Sequence, residues 1–215
     1  MSQTPPDAEI LIATGCAHCP TVLQALTDLI KEGVIHELRV SNIVVDPSRA
    51  QELGVRTTPW TRIGPFTLAG NYSPKELRHW AEQAGSDSGI ADYIRHHLKE
   101  GELQTIETFL RQQPEWLRVI IGLLETEDLE IQVRLGLDAV LESLAGSDAL
   151  KQLAPEFARL SENDNAQIRG DATHYLALTG DPGVRLQLEK RLQDDSPDIR
   201  EIAREGLDQL TQTQA

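Results

Sequence analysis

The chain has 215 residues, 40% hydrophobic and 25% charged, the composition of a soluble globular protein with length for one large domain or two small ones. Aromatic residues are only 4%, which favours helices packed through Ala and Leu over a β-sandwich. The formal net charge of −14 argues against nucleic acid or an anionic membrane surface as partner, because both require clustered Lys and Arg. That charge is uneven: residues 1–85 carry 9 acids and 7 bases, whereas residues 86–215 carry 25 acids and 13 bases. Two domains are expected, 1–85 and 86–215, divided near residues 83–92, where small and turn-forming residues cluster.

In chain order, AEILIAT (8–14) is a short apolar run consistent with a buried strand. The residues before it hold no basic region, and the apolar run is too short for a signal peptide or a membrane span, so a cytoplasmic protein is expected. Both cysteines of the chain follow at once, in IATGCAHCPTVLQAL. From Ala17 to Lys31 the apolar positions Val22, Leu23, Leu26, Leu29 and Ile30 recur at helical spacing, and Gly33 supplies the stop. Residues 34–45 alternate and are rich in Val and Ile, predicting a second strand. DPSRAQELG (46–54) predicts a short helix with Asp46 as cap, Pro47 at the first position and Gly54 at the end. PWTRIG and FTLAG predict a hairpin around Gly64-Pro65. A helix capped by Ser73, with Pro74 at its first position, then runs to Gly85.

The order β-α-β-α-β-β-α, with CxxC between the first strand and its helix and a proline just before the hairpin, resembles the thioredoxin-like superfamily over residues 8–85. CAHCPTVLQAL is similar to the C-x-x-C-P-x-V-x-x-A-L pattern of the N-terminal domain of the alkyl hydroperoxide reductase flavoprotein and to the archaeal protein disulfide oxidoreductases. LGVRTTPW resembles the family's entry to a cis proline beside the disulfide. The resemblance implies a cis Thr58–Pro59 bond whose backbone at Thr58 pairs with an extended substrate, with Trp60 either walling that groove or filling the core. Two features depart from thioredoxin itself: no aromatic residue flanks the first cysteine, and no acid of the first strand is expected to act as the buried proton acceptor.

In a reducing compartment a CxxC pair reads as redox-active or metal-binding rather than as a static disulfide. Disulfide exchange needs one accessible thiolate and a second thiol within reach of the mixed disulfide. Cys16, placed at a helix N-terminus where unpaired amides and the dipole favour an anion, is expected to attack, and the more buried Cys19 to resolve. His18 between them is expected to tune the couple, making it less strongly reducing than thioredoxin's roughly −270 mV. A closed zinc site needs four ligands, and no second cysteine pair exists; covalent haem needs CxxCH, and residue 20 is Pro. No metal and no other cofactor is expected.

From Ile90 onward strand-like alternation disappears. EIQVRLGLDAVLESL, NAQIRGDATHYLALT and SPDIREIAREGLDQL align without gaps, at periods of 35 and 31 residues. Each carries a β-branched residue followed by Arg (Arg134, Arg169, Arg200), then apolar or small residues at Leu137, Ala172 and Ala203 and at Leu141, Leu176 and Leu207. With amphipathic helices between them at 148–160 and 182–193, and an earlier one at 114–125, the pattern resembles HEAT-like repeats, with the helices at 91–100 and 102–112 as a first cap. The repeated Arg is expected to pair with an Asp on the adjacent turn, stacking unit on unit, and His96, His97 and His174 to lie on helix surfaces or be partly buried.

The expected fold is therefore an α/β thioredoxin-like domain followed by an all-α HEAT-like domain. The expected function is thiol–disulfide exchange with protein substrates through mixed disulfides. The helical surface would either recruit a protein partner or hold the redox module in a homo-oligomer. The alternative, from another class, is an interaction adaptor or chaperone-like scaffold whose CxxC is a passive redox sensor.

Overall fold

The computed structural model describes residues 4–212; residues 1–3 of the first expected domain and 213–215 of the second lie outside the described residues. The chain divides into two compact units, one ending at Ile90 and the other beginning at Ala91.

The first unit contains β1 (Ala8–Ile12), α1 (Cys19–Lys31), β2 (Leu38–Asn42), α2 (Ser48–Glu52), β3 (Trp60–Ile63), β4 (Phe66–Ala69) and α3 (Pro74–Gln83). Its sheet has the order β2-β1-β3-β4, with β2 parallel to β1, β3 antiparallel to β1, and the β3–β4 hairpin closed at Gly64-Pro65. β1 is flanked on both edges, and Ala8, Ile10 and Leu11 are fully or nearly fully buried, as an apolar run without alternation requires.

The register assigns the faces. Ala8, Ile63 and Phe66 lie on one face, and Phe66 meets the Trp80 ring of α3 at 5.2 Å. α1 packs on α3, so both helices cover that face. Glu9 alternates to the other face, where α2 lies.

Several element ends differ from the sequence pattern for identifiable reasons. α1 begins at Cys19 instead of Ala17, with His18 at the cap position without a side-chain cap bond and Pro20 in the first turn, where its missing N–H costs nothing. β2 covers less than half of the predicted strand. Before it, Val34 N–H donates to Leu29 O and His36 N–H to Pro6 O; after it, Asn42 turns the chain by accepting the Val44 amide on its side chain and the Val45 and Asp46 amides on its carbonyl. α2 starts at Ser48, because the Asp46 carboxylate accepts the Ser48 amide at 3.0 Å and Pro47 occupies the cap. α3 opens with the predicted Ser73, in a capping box with Glu76, and stops at Gln83.

Contrary to the expectation of an apolar first strand, β1 contains a buried acid. Glu9 is only 2% exposed; its carboxylate accepts two bonds from Arg49 of α2 (2.7 and 2.8 Å) and one from Arg62 of β3 (2.7 Å). Arg62 is its cross-strand partner and Arg39 of β2 its neighbour on the other side. The Arg49 hydrogen bonds, outweighing the burial that opposes them, hold the Glu9 carboxyl below the usual carboxylate range.

The second unit is helical: α4 (Asp87–Lys99), α5 (Leu103–Gln112), α6 (Val119–Leu124), α7 (Ile131–Ser143), α8 (Asp148–Lys151), α9 (Ala154–Leu160), α10 (Ala166–Leu178), α11 (Arg185–Arg191) and α12 (Pro197–Gln212). The stretch 83–92, near which the boundary is expected, is helical from Asp87, and the division between the units falls inside α4. Prolines break two predicted helices into shorter pieces: Pro155 opens α9 after a break from α8, and Pro114 starts a 3-10 turn ahead of α6. The aligned segments form α7, α10 and α12. α10 packs against α12, α9 and α7, and α11 packs against α12. The repeated arginines divide into two roles. Arg134, 5% exposed, pairs with Asp171 of α10; Arg169 grips Asp194 with two bonds (2.8 and 3.1 Å) ahead of α12. Arg200 instead donates to the carbonyls of Asp194 and Asp195 in its own preceding loop, as Arg169 also does to Asn163 and Asp164. His97 is buried and bonded to Glu102, and burial lowers its basicity.

Replacing Glu9 by Gln leaves two guanidinium groups without their shared counter-charge, and the first unit is expected to lose about 3 kcal/mol in urea unfolding. The pH dependence has a definite sign. A carboxyl lowered in the folded state stabilises above its unfolded value of roughly 4.3, and that contribution is lost as pH falls through the lower folded value. The wild-type urea midpoint should therefore drop below pH 4.3 more steeply than that of Glu9→Gln; parallel profiles would show that the carboxylate contributes nothing to folding.

Candidate active site

The two cysteines sit where β1 hands over to α1. They form a disulfide with Cα atoms 5.5 Å apart, inside the usual span for such a bridge. Cys19 is the first residue of α1 and 4% exposed; Cys16 lies three residues ahead of the helix and is partly exposed; His18 is exposed. Gly15, at φ +82, makes the turn that lifts Cys16 toward the helix end.

The decisive contact is between the cysteines themselves. The Cys19 backbone N–H donates to Cys16 Sγ at 3.1 Å. The first amides of a helix have no intrahelical acceptor, and the dipole of the 13-residue α1 adds to their positive end. A negative charge on Cys16 would therefore meet a donor already aimed at it. Cys19, enclosed by the core side of α1, has no comparable opening to solvent.

Thr58–Pro59 is the one cis peptide bond among the described residues, as the resemblance implies. Trp60 pairs with Leu11 in the antiparallel β1–β3 ladder, so the chain just before β3 lies at the same end of the sheet as the chain just after β1. The cis bond and the disulfide loop thus share that end. Thr58 is half-buried, Pro59 is buried, and the Pro59 carbonyl accepts the Gly70 amide at 2.9 Å. The Trp60 side chain alternates to the α2 face with Leu11, away from the face covered by α1; of the two roles open to it, packing against that side of the sheet is the one its register favours.

Two further residues bear on the site, one beside it and one on the far face of the sheet. Asn42, the last residue of β2, donates from Nδ2 to Thr14 Oγ1 at 3.1 Å and ties the disulfide loop to the neighbouring strand. Nothing in the sequence marks it beyond its being a polar residue at a strand end. Glu9 was detectable as the single charge inside an apolar strand. Its carboxylate faces α2 and is engaged by Arg49 and Arg62, so it belongs to the opposite face of the sheet from Cys19.

Residues 7–82 match the family model described as a thioredoxin domain. The N-terminal unit has a thioredoxin-like fold. It is followed by a helical region, and it carries a CxxC pair, Cys16 and Cys19, at disulfide distance. No curated protein matches the chain. Among the described residues no helix is long and apolar enough to cross a membrane.

The difference between the two sulfurs is measurable. When the disulfide is reduced and the protein is treated briefly with sub-stoichiometric iodoacetamide at pH 7, peptide mass mapping should place most of the label on Cys16, because the thiolate is the reacting form and only Cys16 combines exposure with an aimed amide. Label spread evenly over both cysteines would contradict this ordering.

Proposed function

We propose that the protein is a thiol–disulfide oxidoreductase that exchanges disulfides with protein partners. The observation that carries this reading is the asymmetric pair: a partly exposed Cys16 Sγ accepting the Cys19 amide, with Cys19 buried at the first turn of α1. In the reducing direction the Cys16 thiolate attacks a partner disulfide, forming a mixed disulfide and releasing the first partner thiolate. Cys19 then loses its proton and attacks the Cys16 sulfur, releasing the second. Two electrons pass to the partner and the intramolecular bridge is left. The oxidising direction is the reverse. The backbone at Thr58, next to the cis bond, is placed to pair with an extended partner segment.

His18 tunes the couple in this reading. As an exposed imidazole one residue from Cys19, it favours the thiolate when protonated and disfavours the bridge. Replacing it by Ala should make the pair more reducing by about 10–20 mV, the equivalent of less than 1 kcal/mol at an exposed site.

The helical unit is read as a HEAT-like stack in which α7, α10 and α12 are equivalent, joined in part by Arg134–Asp171 and Arg169–Asp194. Such stacks present extended surfaces and carry no chemistry of their own, so this unit is assigned the choice of partner, either a protein substrate or a second copy of the chain. A cytoplasmic setting, where CxxC pairs cycle rather than persist as static bridges, suits this activity.

Trapping tests the reading directly. Cys19→Ser should accumulate mixed disulfides with a small set of proteins, visible as dithiothreitol-sensitive bands, whereas Cys16→Ser should accumulate none. Equal trapping by the two variants would overturn the assigned roles, and no turnover of any disulfide by the wild type would favour a sensor or scaffold.

A further inference from the structure

Six large apolar side chains are exposed among the described residues, and three of them fall within six residues of one another: Val40 (45% exposed), Val44 (62%) and Val45 (81%). Single exposed apolar residues are ordinary, but a cluster marks a contact surface. The local structure sharpens this. Residues 43–45 form a turn, where Gly, Asn, Asp or Ser would be the usual choice, yet Ile43, Val44 and Val45 occupy it. The turn is tightly built: Ile43 N–H donates to Ile12 O (2.9 Å), Val44 N–H to Asn42 Oδ1 (3.0 Å), and the Val45 and Asp46 amides to Asn42 O (3.1 and 3.0 Å). The backbone is thus satisfied internally while two valine side chains are held out to water.

The position of the turn identifies its occupant. Ile43 extends the β1–β2 pairing at the end of the sheet where β1 leads into the disulfide loop, and Asn42 bonds Thr14 two residues before Cys16. A polypeptide presenting a sulfur to Cys16 must place its flanking residues over the loops around it. On one side these are the residues before the cis Pro59; on the other is the valine turn. Besides Cys16 itself, the two tied loops, 13–18 and 43–47, carry only His18 and Asp46 as ionisable groups, and the Asp46 carboxylate accepts the Ser48 amide. With one carboxylate and no Lys or Arg in either loop, this rim offers little to a small anionic thiol, and its exposed valines suit an apolar segment.

We propose that Val44 and Val45 form a docking surface for extended polypeptide substrates whose reacting cysteine is flanked by apolar residues. This rests on the thiol–disulfide reading above and specifies its substrate class.

The test uses the reduced full-length protein with four disulfides: two short peptides, each carrying one cysteine in mixed disulfide with 2-mercaptoethanol and flanked by either Val/Leu or Ser/Gly, then hydroxyethyl disulfide and oxidised glutathione. In every case the protein dithiol is the reductant; it ends as the Cys16–Cys19 bridge, and the disulfide is released as two thiols. The wild type should react with the apolar-flanked peptide about tenfold faster than with the Ser/Gly peptide, the gain expected from partly burying one valine-sized side chain. In the double variant Val44→Ser, Val45→Ser that preference should disappear while the hydroxyethyl disulfide rate stays unchanged. A preference that survives in the variant, no preference in the wild type, or fastest reaction with glutathione overturns the docking surface. Failure of the wild type to react with all four disulfides overturns the exchange activity itself, so the two failures are distinguishable. Loss of the hydroxyethyl disulfide rate in the variant would place the valines in the support of the redox loop and count against docking.

Discussion

Pairing of β1 along both of its edges is the constraint on which the first unit depends. A strand held in parallel register by β2 and antiparallel register by β3 cannot shift by one residue without exchanging its two buried faces. That fixed register places Ile10 in the core beneath α1 and α3, Glu9 among the arginines on the α2 side, and the exit at Ile12 beside both the turn after β2 and the cis bond before β3. The disulfide loop at Cys16 therefore starts from the end of a strand paired on both edges.

Separation of charge across the sheet follows from the same alternation. The α1 face is apolar and carries Cys19, whereas the α2 face carries a buried carboxylate satisfied by two guanidinium groups. A buried, doubly paired carboxylate is inert as a base near neutral pH, and its role is to fasten α2 to the sheet. The helical unit uses arginine in a related way. Arg169 bonds Asp194 on one side and two loop carbonyls on the other, so a single guanidinium both caps a turn and joins consecutive helical layers.

Features with a strong local cause were legible in the sequence. The strand and hairpin order, the Ser73 cap, and the three aligned helices with their arginines follow from periodicity and capping chemistry alone. Ends set by side-chain contacts with the backbone were not legible. Hydrophobic alternation through Val45 predicted a long β2, but the Asn42 amide captured the chain and ended the strand. The charged row of Arg39, Glu9 and Arg62 required knowledge of which residues are opposite one another, and register is a tertiary fact. At the site the sequence held the cysteines, their spacing and the Thr58-Pro59 pair; it held no sign of Asn42, whose importance comes from what stands beside it in space.

Asn42 uses the two ends of its amide for different tasks. Nδ2 holds Thr14 of the disulfide loop, and Oδ1 holds the backbone of the valine turn. One short side chain at the end of β2 therefore fixes the spacing between the valine turn and the loop that carries Cys16.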